Sequence, residues 1–173
     1  MLAGFVLSFF GDLFLALGST GIFFILGVLS FSIGHIMFTI GYTSITQFHG
    51  KDIAIFGLIF LPCAALMLCG NFEYKNMLVL VIIYAAIICM MVTKAISMRV
   101  YYKENKASVS LSIIGSILFF VSDFILLFVF FYPNAHPILQ HLNSIVYYGG
   151  QGLLALSFGQ KLVTIRTNTS RNR

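Results

Sequence analysis

Six stretches of this sequence, roughly residues 1 to 18, 21 to 41, 53 to 70, 77 to 98, 108 to 131 and 138 to 160, meet or approach the ~20 mainly apolar residues that a helix needs to cross hydrocarbon. They leave almost nothing for a soluble domain, and the loops between them are too short to fold alone. Lipid offers no partner to a backbone N–H or C=O, so such a chain must satisfy its polar backbone inside its own helices. The alternating pattern of a membrane β-barrel is absent. Composition agrees: 9% of residues are charged, against roughly a quarter in soluble proteins. The expected fold is all-α, a polytopic transmembrane helix bundle with six spans, forming a single domain over residues 1–160 with a basic cytoplasmic tail over 161–173.

Met1 enters an apolar run with no basic stretch ahead of it and no polar run at a plausible cleavage point, so the first span is expected to be retained. Lys and Arg set the orientation, because positively charged loops stay cytoplasmic. With loops alternating sides, Lys51, Arg99, Lys103, Lys106, Lys161, Arg166, Arg171 and Arg173 fall on one side and Lys75 on the other, which makes both termini cytoplasmic. The net charge of +5 therefore reads as a topology signal with attraction to anionic headgroups, and no nucleic-acid partner is expected. Cys63, Cys69 and Cys89 lie within apolar spans without metal-ligand spacing, and read as packing residues.

The informative residues are those that hydrocarbon should have excluded. Asp52, Glu73 and Glu104 sit in or beside loops, whereas Asp12 and Asp123 lie inside apolar spans. An ionisable group in a span costs at least a few kcal/mol and normally faces a cavity or partner, so it is a functional hypothesis, with a structural hydrogen bond as the plainer reading. Ser8, Asp12 and Ser19 follow helical spacing in the first span, as do Ser112, Ser116 and Asp123 in the fifth. Under the alternating topology the two carboxyls lie at similar depth and could share one site. The strings 9–15 (Phe-Phe-Gly-Asp-Leu-Phe-Leu) and 119–125 (Phe-Phe-Val-Ser-Asp-Phe-Ile) are alike, hinting at a duplicated helix pair.

His35 shares a helix face with Phe31, Phe38 and Tyr42; alone it reads as a core histidine, but its helix follows directly from the Asp12 span and is placed to approach that carboxyl. Ser144, Tyr147, Tyr148 and Gln151 give the sixth span a polar, aromatic face, equally compatible with interhelical hydrogen bonding, and Tyr84 is a lesser polar group in the fourth. Gly27, Ser30, Gly34 and Gly41 line one side of the second helix and read as close packing, while Pro62 should bend the third. There is no Gly-x-Ser-x-Gly elbow, His-Glu-x-x-His or phosphate loop, and only one histidine is deeply placed, so no metal or other cofactor is expected.

Residues 7–15 (Leu-Ser-Phe-Phe-Gly-Asp-Leu-Phe-Leu), 24–38 (through Gly34, His35 and Phe38), 115–123 (Gly-Ser-Ile-Leu-Phe-Phe-Val-Ser-Asp) and 147–154 (Tyr-Tyr-Gly-Gly-Gln-Gly-Leu-Leu), in this order and spacing, resemble the spans of the YhhN-like lysoplasmalogenases. These are integral membrane hydrolases that cleave the vinyl ether bond of lysoplasmalogens. Family members generally have eight spans, and two upstream spans with a Lys-Pro segment have no counterpart here. Carried across at matching positions, the resemblance implies Asp12 and Asp123 as catalytic aspartates, with His35, Tyr147 and Gln151, then Ser122 and Tyr84, as supporting residues. It implies a lysophospholipid as substrate, and helical spans in a short, bacterium-like chain point to an inner membrane as location.

The implied chemistry suits two carboxyls. A vinyl ether hydrolyses by protonation at its β-carbon, and water captures the resulting oxocarbenium ion to give a hemiacetal and then an aldehyde. A carboxyl in an apolar site beside a second carboxylate holds its proton to higher pH, so one can act as acid while its partner stabilises the cation and activates water, as paired carboxylates do in glycoside hydrolysis. A proton-coupled transporter would also place Asp, His and Gln in the bilayer, and is the alternative reading. A purely structural protein, tolerant of Asn or Leu at both aspartates, is third.

Overall fold

The computed structural model describes residues 1–101 and 105–171, with side chains up to Gly159. Lys103, Glu104 and Arg173 lie outside the described residues, as do the side chains of Lys161, Arg166 and Arg171. The described residues form six helices and no strand: α1 (Leu2–Leu17), α2 (Gly21–Thr46), α3 (Gly50–Cys69), α4 (Leu78–Tyr101), α5 (Lys106–Phe131) and α6 (Ile138–Arg171). Helices α2, α3, α4 and α5 are long and apolar enough to cross a membrane. The protein is a polytopic helical membrane protein.

Two elements depart from the expected spans. The 16 residues of α1 rise only about 24 Å, short of a full hydrocarbon crossing. At the other end, α6 continues through Arg171, where a tail was expected from residue 161. Its polar last turns follow an apolar stretch with no Pro or Gly-Gly break after residue 159, so backbone hydrogen bonding carries the helix on.

The ends have local causes. Asn105 precedes α5 and its side chain accepts a hydrogen bond from the Ser108 amide (3.0 Å), capping an otherwise orphaned donor. Asp52, in the first turn of α3, does the same for the His49 amide (3.0 Å). Gln47 ends α2 by turning to φ 39°, a conformation in which no helix continues. Pro62 sits inside α3, where it lacks the amide that its helix would otherwise use.

The chain divides into two compact units, Met1–Gly70 with Tyr74–Lys94, and Asn71–Glu73 with Ala95–Arg173. The first is built on the close pair α1 and α2, the second on α5 and α6. Both pairs use glycine where the helices meet. A Cβ on Gly11 would lie 2.6 Å from the Phe31 ring, and one on Gly34 would lie 3.3 Å from the Gly4 carbonyl oxygen. In the second unit, a Cβ on Gly150 would lie 3.1 Å from the Gly115 carbonyl oxygen. Such approach maximises dispersion contact, which is what holds helices together where lipid removes the hydrophobic drive. Outward, Leu58, Leu61, Val79 and Ile145 are exposed, an apolar surface suited to acyl chains.

Candidate functional site

In the first unit, Ser8 is buried and its hydroxyl donates to the Gly4 carbonyl (2.9 Å), while Ser30 of α2 donates across the helix pair to the Leu7 carbonyl (2.7 Å). Gly4, Leu7, Ser8 and Gly11 thus form the seam of α1 with α2. Asp12 follows Gly11, about 100° further round the helix, and is half-buried beside that seam. Phe31 closes on Gly11, so turning α1 about its axis would drive side chains into that ring, and the seam sets the face on which Asp12 lies. Ser19, placed with Ser8 and Asp12 by spacing, lies beyond the end of α1 and is exposed, so the stripe stops at the carboxylate. The helix ends two residues short of it.

His35 is fully buried in α2. Its Nε2 is hydrogen-bonded to the Tyr84 hydroxyl of α4 (3.1 Å), with ring centroids 5.6 Å apart, and Phe31 stacks on its other side along α2. The lesser polar group of the fourth span is therefore an immediate neighbour of the one buried histidine ring in the apolar interior of this unit.

In the second unit, Ser122 is fully buried and donates to the Asn143 side-chain oxygen of α6 (2.8 Å). Asp123 follows it, half-buried, with its Oδ2 shielded from solvent. Tyr147 packs edge-on against Phe119 (5.1 Å between centroids), and its hydroxyl accepts a hydrogen bond from Gln151 Nε2 (3.1 Å). Below them, Ser112 donates to the Ser157 hydroxyl (3.0 Å) and Ser108 to the Ser157 carbonyl (2.8 Å). Ser122, Tyr147 and Gln151 thus fall in one polar seam between α5 and α6. Ser144 and Tyr148 do not: Ser144 bonds back along its own helix to the Gln140 carbonyl (3.1 Å), and Tyr148 is 64% exposed. The inward stripe is Asn143, Tyr147, Gly150, Leu154 and Ser157, one residue away from the expected face. Asn143 was missed, although it lies four residues before Tyr147, the helical repeat that should have found it.

A second group was also missed. Lys94 of α4 and Asp52 of α3 are each 0% exposed and form an ion pair (2.8 Å), with a further bond from Lys94 Nζ to the Gln47 carbonyl (2.6 Å) and the Phe48 ring 5.5 Å away. Asp52 thus lies beside the α2–α3 loop, as expected, but with its carboxylate turned inward to a buried cation. The signal was Lys94 itself, a lone cation inside an apolar stretch, which needs a counter-ion. Cys63 on α3 and Cys89 on α4 are free thiols, the second of them buried. Among the described residues, no group of three His, Cys, Asp or Glu side chains converges to hold a metal ion.

The geometry therefore gives two aspartates, each one residue past a close helix seam and each half-buried. Neither a curated protein nor a solved structure matches the chain. The model of the YhhN family matches residues 1–158, taking in both aspartates, His35, Tyr84, Ser122, Tyr147 and Gln151, and the chain belongs to the YhhN family.

Proposed function

We propose that this protein is a lysoplasmalogenase, a membrane hydrolase that cleaves the vinyl ether bond of a lysoplasmalogen to a fatty aldehyde and a glycerophospho-ethanolamine or -choline. The observation that carries the reading is the placement of Asp12 and Asp123 in the apolar helices α1 and α5 of a YhhN-family chain, a family that includes lysoplasmalogenases. Carboxylates held there at the cost of desolvation need a chemical reason, and vinyl ether hydrolysis supplies one.

In this reading one carboxyl delivers a proton to the β-carbon of the vinyl ether. The second, ionised, stabilises the oxocarbenium ion at the α-carbon and takes a proton from the water that adds there. The hemiacetal then collapses to the aldehyde and the free glycerol hydroxyl. Proton transfer by a placed group contributes about 10²–10⁴-fold, and a fixed charge facing the cation adds to it. His35, held by Tyr84, orients water or a carboxyl. Tyr147, held by Gln151, contacts the glycerol or headgroup, and Ser122 steadies the α5 backbone at Asp123. The acyl-like chain lies along apolar side chains, and the residues named perform the chemistry without a cofactor. The proposed setting is a bacterial inner membrane with both termini cytoplasmic, the side on which Lys51, Arg99 and Lys106 then fall.

Aldehyde release from a lysoplasmalogen by the detergent-purified protein is the test, with an ester-linked lysophospholipid as control substrate. Release by the wild type and its loss in Asp12→Asn and Asp123→Asn is the expected result. No release by folded wild-type protein, or full release by both variants, overturns the reading.

A further inference from the structure

We propose that the buried Lys94–Asp52 pair is a register lock that holds α4 against α2 so that Tyr84 stays bonded to His35, which makes Lys94 and Asp52 positioning residues for that histidine. The importance of His35 to turnover rests on the function proposed above; the lock itself does not.

Two polar bonds join α4 to α2 and its exit. One is Tyr84 to His35; the other is Lys94 to the Gln47 carbonyl at the end of α2, completed by Asp52 at the start of α3. Going from His35 to Gln47 advances along α2, and going from Tyr84 to Lys94 advances along α4, so the two helices run parallel and are pinned at two heights. Ten residues of α4 separate the pins, about 15 Å. A slip of α4 by one residue is only about 1.5 Å of translation, but it turns every side chain by about 100° and carries the Tyr84 hydroxyl off the imidazole. Ile88, Met91 and Val92 on the buried face of α4 are of similar volume and set the helix height less sharply than a charged pair does. A charge pair does not slip, because displacing Lys94 leaves two ions buried and apart.

The bonds on Asp52 extend the lock. The same Oδ2 accepts from Lys94 and from the His49 amide, so the pair fixes the α2–α3 connection as well as the height of α4. Gln47 at φ 39° turns its carbonyl out of the α2 hydrogen-bond ladder, where Lys94 finds it. Phe48 lies over the ammonium group.

The experiment is nitrogen NMR of the full-length protein in detergent micelles with ¹⁵N-histidine labelling. His35→Asn assigns the His35 signal among the four histidines, and Tyr84→Phe defines where that signal falls when the hydrogen bond is lost. The informative variant is Asp52→Asn/Lys94→Met, which removes both charges together while the introduced carboxamide keeps an acceptor for the His49 amide. Its His35 signal should move to the Tyr84→Phe position; a signal left at the wild-type position overturns the lock. Should the double variant unfold, seen as collapse of all histidine signals together, Lys94→Arg replaces it, because it keeps both charges while the longer, planar guanidinium displaces the bonds to Asp52 and the Gln47 carbonyl. A His35 signal moved toward the Tyr84→Phe position supports the lock, whereas an unmoved one overturns it. None of these readouts uses aldehyde release, so failure of the lock and failure of the hydrolase reading are told apart.

Discussion

The pair α1 with α2 and the pair α5 with α6 carry the same device, yet their surroundings are held by different chemistry. In each, a small residue meets the partner helix and an aspartate comes next: Gly11 then Asp12, Ser122 then Asp123. Each aspartate is therefore turned about 100° from its seam, half-buried rather than sealed. In the unit of Asp12, however, α4 is fixed to α2 and α3 by a charged pair and by the His35–Tyr84 bond. In the unit of Asp123, α5 and α6 are joined by neutral hydrogen bonds from the Ser108, Ser112 and Ser122 hydroxyls. An aspartate can thus be aimed in an apolar helix by seam geometry, while the chemistry that fixes the rest of its unit differs.

If the two aspartates are equivalent in kind, Asp12→Asn and Asp123→Asn should each lower kcat/KM for lysoplasmalogen by about 10²–10⁴-fold, the range for loss of a placed acid or base. Steady-state kinetics of aldehyde release by folded variants checks it. A large loss in one and nearly full activity in the other would end the equivalence, giving only one seam a role in the reaction.

The difference between the units should show most plainly in stability. Lys94→Met leaves Asp52 buried without its cation and should cost about 3–5 kcal/mol in denaturation in detergent micelles, whereas Asp52→Asn/Lys94→Met should lie close to the wild type. A single variant as stable as the double would mean that water or lipid headgroups reach the pair.

Much of the fold was legible because hydrocarbon imposes one pattern, a run of apolar residues, wherever a helix crosses. The six runs became six helices. What the pattern could not carry was where a helix stops for reasons other than polarity: α1 ends before Ser19, and α6 runs on through polar residues because nothing interrupts its backbone hydrogen bonds. The polar groups divided the same way. Asp12 and Asp123 stood out because each breaks an apolar run, but Asp52, four residues after Phe48 at a helix start, has the look of a loop residue until Lys94, 42 positions on, is brought to it. Asn143 and Ser144 are adjacent, and only the phase of the helix, set by Tyr147 against Phe119, decides which of them faces α5.

The glycine seams separate the two units at the next level of effect. Gly11→Ala would set a methyl 2.6 Å from the Phe31 ring, which is itself stacked on His35, whereas Gly150→Ala meets backbone, the Gly115 oxygen at 3.1 Å and the Phe119 nitrogen at 3.2 Å. Overpacking costs about 1–3 kcal/mol in either case. In the first unit the ring can shift, so stability falls less but His35 is disturbed; in the second the backbones must part. Gly11→Ala should therefore lose more activity for each kcal/mol of stability than Gly150→Ala, a ratio read by measuring kcat/KM and unfolding on the same preparations.

The neutral ladder should respond least of all. A double-mutant cycle of Ser122→Ala and Asn143→Ala should give a coupling of about 0.6 kcal/mol, because a hydroxyl or amide in the membrane-embedded unfolded state finds other partners and forfeits little on losing this one. That is several-fold below the penalty expected for Lys94→Met, and the gap has a physical origin: a neutral donor can turn back to a carbonyl of its own helix, as Ser144 does to Gln140, whereas a buried ammonium group has no such retreat. A coupling above about 2 kcal/mol would instead mean that Ser122 and Asn143 are isolated from every alternative partner, and that the two units are held equally firmly by different bonds.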